Sequence, residues 1–208
     1  FAEQTLKCQN MPVCEKKILF VGEEISFASR YRVEHFREQL HYQGYGSDFY
    51  QVDEVEDLDW DAYRAVVCYR CSREDVVCKV VEQAKKTGLN VYYDIDDLIF
   101  DYERISYLHF LTGSEYKDFK KTTEQIHSCM ELCDGYFTST DTLAGEIRRE
   151  FPGKPVVINR NCMSMEMEVL SHEAVEQTDK DKDRIYIGYL SGSKTVSYTH
   201  LRAHETLS

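Results

Sequence analysis

Apolar positions in this chain fall into short runs that alternate with stretches of three-to-four spacing. Lys17–Gly22 (KILFVG) is an apolar run closed by glycine, the pattern of a buried strand. After it, Ser29 is placed to cap a helix that carries Val33, Phe36 and Leu40 on one face and stops at Gly44. Ser47–Val52 and Ala65–Arg70 (AVVCYR) read as the second and third strands. Glu74–Thr87 repeats Val77, Val80, Val81 and Ala84 at helical spacing and is closed by Gly88. Asn90–Asp94 predicts a fourth strand, and Glu115–Cys133 a helix with Phe119, Ile126, Met130 and Cys133 aligned. Gly135–Ser139 predicts a fifth strand, followed by a helix capped at Asp141 that carries Leu143, Ile147 and Phe151 and ends at Pro152. Pro155–Asn159 predicts a sixth strand, with a helix around Met163–Gln177 after it. The charged stretch Gln177–Arg184 reads as a linker, and Arg184–Leu190 (RIYIGYL) as a fresh strand.

Strands alternating with amphipathic helices imply βαβ crossovers, hence a Rossmann-like α/β domain whose parallel sheet is covered by helices on both faces. The expected organisation is an N-terminal extension over 1–15, the sheet domain over 16–177, a linker over 178–184, and over 185–195 the first strand and loop of another domain. The tail 196–208 (VSYTHLRAHETLS) has no helical or strand period and resembles a translated sequencing adaptor, so it is set aside from functional argument. On sheets of this kind ligands bind beyond the carboxyl ends of the strands. The stretches that matter are therefore Glu23–Arg32, Arg70–Arg73, Asp94–Asp101, Ser139–Thr142, Asn159–Asn161 and Ser191–Lys194.

Charge narrows the partners. The 208 residues carry 25 Lys+Arg against 37 Asp+Glu, a formal net charge of −12. A general nucleic-acid binder needs a basic face, so nucleic acid is not an expected partner. The apolar runs fall far short of the ~20 residues needed to cross a bilayer. The first twenty residues show no apolar export core, which points to a cytoplasmic location.

Eight cysteines are present. Cys68 and Cys71 form a C-x-x-C and Cys129 with Cys133 a C-x-x-x-C, spacings that allow thiolates to converge on zinc. Cys68 lies in a strand-like run and Cys129 and Cys133 on a helix stripe, where reduced cysteine packs as a small hydrophobe; packing is the favoured reading and no metal is expected.

The strongest chemical signal is Tyr93-Asp94-Ile95-Asp96-Asp97-Leu98-Ile99-Phe100-Asp101, which brings four carboxylates to one strand end. Such a cluster needs a cation, a donor-rich ligand or raised pKa values. The alternatives are capping and turn formation, a magnesium phosphatase using Asp94 and Asp96, a metal-dependent sugar transferase, and a metal-free site whose carboxylates bind sugar hydroxyls or act as base. The D-x-D pattern resembles the haloacid-dehalogenase phosphatases. Against that, Leu98 stands where that family has Thr or Val, and the motif ends the fourth strand rather than the first. Ile185–Lys194 (IYIGYLSGSK) is a strand running into a small-residue turn, where backbone N–H groups can approach a phosphate.

Several segments together resemble the N-terminal half of a GT-B glycosyltransferase of the bacterial group-one type. They are Ser29-Arg30-Tyr31-Arg32-Val33, Tyr93–Phe100, Cys133-Asp134-Gly135 with Ser139-Thr140, Val157-Ile158-Asn159, and Ile187-Gly188-Tyr189-Leu190-Ser191-Gly192-Ser193. The resemblance covers about residues 16–195. It implies an acceptor-side domain facing a C-terminal, nucleotide-sugar-binding domain of the same chain. The implied activity moves a sugar from a nucleotide-sugar to a hydroxyl acceptor, a glycan or lipid-linked acceptor, without a bound metal or cofactor. It further implies acceptor contacts from Arg30, Arg32, Arg70, Asp94 and Asp97, and catalytic contributions from Asp96 and His109. Gly188, Ser191, Gly192, Ser193 and Lys194 would lie near the donor diphosphate. Peripheral membrane contact accompanies such enzymes, although no basic amphipathic helix marks it here.

Overall fold

A computed structural model describes residues 14–23, 27–56, 58–101, 103 and 113–178. Close contacts divide the chain into two units, Phe1–Met165 and Glu166–Ser208. The first unit holds a six-stranded parallel sheet of order β2-β1-β3-β4-β5-β6. Its strands are β1 (Cys14–Gly22), β2 (Tyr45–Gln51), β3 (Tyr63–Tyr69), β4 (Asn90–Asp94), β5 (Gly135–Thr138) and β6 (Val156–Ile158). Between them run helices α1 (Phe27–Tyr42), α2 (Glu74–Lys86), α3 (Gly113–Leu132) and α4 (Asp141–Glu150). Helix α5 (Met165–Glu176) belongs, apart from its first residue, to the second unit, and Val169, Leu170 and Val175 on it are exposed.

Period-two alternation within the strands sends successive side chains to opposite faces. Leu19, Val21, Val66, Cys68, Val91, Tyr93 and Tyr136 point to one face, where they pack with Val77, Val80 and Val81 of α2, Ile126 and Met130 of α3, and Leu143 and Ile147 of α4. Phe20, Val67 and Tyr69 point to the other, against Val33, Phe36 and Leu40 of α1. Helices therefore cover both faces, the Rossmann-like arrangement that the alternating pattern predicts. Gly44 and Gly88 end α1 and α2 in left-handed backbone (φ 81° and 72°), the role expected of them.

Two helix starts differ from expectation. Ser29 is not a cap: it has helical backbone, α1 already begins at Phe27, and Ser29 makes no side-chain capping bond. The middle of α1, Arg30–Glu34, is a π-helical turn, which gives no sequence signal of its own. At α4 the cap is Thr140, whose Oγ1 accepts from the Leu143 backbone N–H; Asp141 is the first helical residue. The predicted linker, apart from its first residue Thr178, and the strand from Arg184 lie outside the described residues.

Candidate functional site

The chain reverses direction across the sheet at β1, which has β2 on one side and β3 on the other. The crevice beyond β1 and β3 is therefore the topological switch point, where open parallel sheets bind ligands. A cavity of about 210 Å³ lies there, lined by Glu23, Tyr69, Arg70, Ser72, Ile99, Thr122 and Ile126.

Glu23 follows β1 directly and turns its carboxylate onto the start of α2. It accepts from the backbone N–H of Ser72, from that of Arg73 (2.7 Å) and from Ser72 Oγ (3.0 Å). The free N–H groups at a helix start attract an anion, and here the chain supplies its own.

Arg70 closes β3 with φ 47°, the left-handed region that a non-glycine residue rarely enters. Its backbone N–H still donates to Asp94 O (3.2 Å), while its guanidinium swings toward the loop after β4. Nε and Nη2 donate to Asp96 Oδ1 at 3.0 and 2.6 Å, and Nη2 also to Asp97. Nη1 has no partner among the described residues. Asp96 is mostly buried and Asp97 exposed.

Arg32 and Asp94 form a separate, buried unit. Arg32 reaches in from the π-turn of α1 and binds Asp94 with two bonds, Nε to Oδ1 at 2.9 Å and Nη2 to Oδ2 at 2.8 Å. Its Nη1 donates to Asn159 O (2.5 Å) and Asn161 Oδ1 (2.9 Å), tying α1 to the loop after β6. His35 Nδ1 lies 2.9 Å from Cys162 O in the same loop. Both side chains of the ion pair are at most 1% exposed. Burial raises the Asp94 carboxyl to about 6 against the pull of Arg32.

Register sets Tyr69 beside Asp94 on adjacent strands. The Tyr69 hydroxyl is buried and has no hydrogen-bond partner among the described residues. Burial pushes its pKa up to about 12, with Arg70 pulling the other way and Asp96 and Asp94 adding to the rise.

Of the residues expected at the site, Arg70 lines the cavity and meets Asp96 and Asp97, which do not line it. Arg32 and Asp94 are engaged with each other rather than open to a ligand. Arg30 sits exposed on the π-turn. His109, Gly188, Ser191, Gly192, Ser193 and Lys194 lie outside the described residues. Glu23 and Ser72 fall in stretches that the strand-end rule marks, but their pairing joins positions 49 apart and has no local signal. Thr122 was not legible at all, being one polar residue in the middle of a helix.

The four cysteines come together behind the site. Cys68, Cys71, Cys129 and Cys133 are all buried; Cys71 Sγ donates to Val21 O (3.5 Å) and Tyr69 O (3.6 Å), and Cys133 Sγ to Cys129 O (3.4 Å). The neighbouring Cys133 pulls Cys68 down, but Cys71 and burial outweigh it and hold Cys68 well above the usual thiol range. The neighbouring Cys68 and burial do the same to Cys133. Among the described residues no group of three or more His, Cys, Asp or Glu has the geometry to hold a metal ion. Nor is any described helix long and apolar enough to cross a membrane.

No protein-family model matches the sequence, and no curated protein matches it.

Proposed function

We propose that this chain is the acceptor-side half of a glycosyltransferase that moves a sugar from a nucleotide-sugar to a hydroxyl acceptor, displacing a nucleoside diphosphate. The observation that carries the reading is the switch-point cavity, lined by Glu23, Arg70, Ile99 and Ile126, with Asp96 and Asp97 bound to Arg70. A carboxylate and an arginine beside apolar side chains suit a sugar ring, which offers hydroxyl donors at its edge and C–H groups on its faces.

In this reading Asp96, held by Arg70, is the candidate to accept an acceptor hydroxyl's proton. Arg32 and Asp94 act as positioning residues that tie α1 to β4 and to the loop after β6. The turn Gly188–Lys194, with the domain it opens, would bind the donor diphosphate.

The phosphatase alternative asks Asp94 to attack phosphorus, and both Asp94 oxygens are bound by Arg32 in a pocket closed to solvent. The test is to join this chain to the continuation of its reading frame. The product is assayed for transfer from a panel of nucleotide-sugars, beside a magnesium-dependent phosphatase assay on the 208-residue chain. Sugar transfer that falls with Asp96→Asn supports the reading. Phosphate release abolished by Asp94→Asn overturns it.

A further inference from the structure

We infer that the switch-point cavity accepts a neutral, unphosphorylated sugar ring, because Glu23 occupies the backbone N–H groups of Ser72 and Arg73 that would otherwise hold an anion. The inference rests on the transferase reading for the class of ligand and sharpens it by excluding a phosphate on the group that enters the cavity.

Size sets the first limit. About 210 Å³ is roughly seven waters' worth at ~30 Å³ each, below the ~300–1,000 Å³ of sites for drug-sized ligands. A volume of that size suits a single ring.

The polar lining sets the second. A carboxylate has about four acceptor positions. Glu23 Oε1 uses two on the Ser72 and Arg73 N–H groups, and Oε2 uses one on Ser72 Oγ, leaving one for a ligand donor. Ser72 Oγ spends its proton on Glu23, and Thr122 Oγ1 spends its own on Asp118 O (3.0 Å), so both present acceptors. Among the described residues Arg70 Nη1 and the Tyr69 hydroxyl are the spare donors. An acceptor-rich lining with Ile99 and Ile126 beside it matches several hydroxyl donors on a ring with an apolar face.

A phosphate meets the opposite. Glu23 already occupies the N–H groups of Ser72 and Arg73 just ahead of α2, and Asp96 and Asp97 claim Nε and Nη2 of Arg70. A dianion there would lie against the Glu23 carboxylate, beside an Arg70 whose charge Asp96 and Asp97 already offset.

The experiment follows backbone amide shifts of the 208-residue chain, wild type and variants, on titration with methyl hexopyranosides, methyl deoxyhexopyranosides and inorganic phosphate. In the wild type a glycoside is expected to shift Ser72, Arg73 and Thr122, and phosphate to leave them in place. Thr122→Val, which preserves shape, should weaken the glycoside roughly fivefold, the loss of one hydrogen bond. Glu23→Ala should expose the start of α2 and gain a phosphate response at Ser72 and Arg73. Wild-type shifts with phosphate, no shifts with any glycoside, or Thr122→Val binding as tightly as wild type each overturn the inference. Should Glu23→Ala perturb the fold, Glu23→Ser keeps a small polar side chain while freeing the same N–H groups, and indifference of both variants to phosphate counts against it. Phosphatase activity alongside intact glycoside shifts would sink the transferase reading alone.

Discussion

Arg32 and Asp94, 62 positions apart in the chain, bind each other through two parallel N–H···O bonds at 2.9 and 2.8 Å, inside the protein. A buried pair of this kind adds little net stability, but losing one partner is severe, because the survivor keeps its charge out of water.

Arg32→Met is therefore expected to cost roughly 3–5 kcal/mol at pH 8, read by urea unfolding. The loss should shrink on acidification. Asp94 has its carboxyl raised to about 6 in the fold, above the ~3.9 of an unfolded chain. Its contribution to stability is thus greatest below about pH 4 and falls as pH rises through 6. Without Arg32 the folded value climbs further, so the variant loses most at high pH and recovers as the lone carboxyl protonates. A penalty that is constant with pH would show that Asp94 is not the group left stranded. Arg32→Met with Asp94→Leu should regain most of the loss.

Arg70 is strained by its backbone and held by its side chain. Arg70→Gly removes the strain and Arg70→Ala does not, so the glycine variant should be the more stable of the two by about 1 kcal/mol. Both should weaken the glycoside response at the cavity, since both lose the guanidinium donor. Equal stability of the two in thermal unfolding would contradict the left-handed backbone.

Gly135 has no room for a methyl group. A Cβ there would lie 2.8 Å from Pro155 Cγ and 3.0 Å from Pro155 O. Gly135→Ala should destabilise by about 1–3 kcal/mol, since β5 must move away from the chain entering β6. Denaturant midpoints at unchanged m-value are the check.

Thr140→Ala should cost about 1 kcal/mol by removing the cap of α4. Asp141→Ala leaves the Thr140–Leu143 bond in place and should have the smaller effect. The reverse order would restore Asp141 as the cap.

Much of the sheet was readable because its signals are local. KILFVG, AVVCYR and NVYYD are apolar runs bounded by glycine or charge, and their strands lie within a few residues of expectation. The interior of the site was not, because its partners are distant in sequence. Asp94 reads as one of four free carboxylates until Arg32 folds over it, and Glu23 reads as a loop acid until Ser72 and Arg73 meet it. Ile126 marks a core stripe in the sequence; that it also lines a cavity depends on where α3 ends up relative to β3. The Thr140 cap was missed because Asp141 beside it is an equally good capping residue, and only the backbone geometry decides between them.

The π-turn in α1 has an evolutionary consequence. An α-helix advances about 100° per residue, and a π-turn is in effect one extra residue accommodated without lengthening the helix. In that turn Arg32 and Val33, adjacent in the chain, are both buried, Arg32 on Asp94 and Val33 with Phe36 and Leu40. A single-residue deletion between Arg30 and Glu34 would restore a regular helix and rotate Arg32 away from Asp94. Homologues of this chain should therefore tolerate substitutions through that segment more readily than changes in its length.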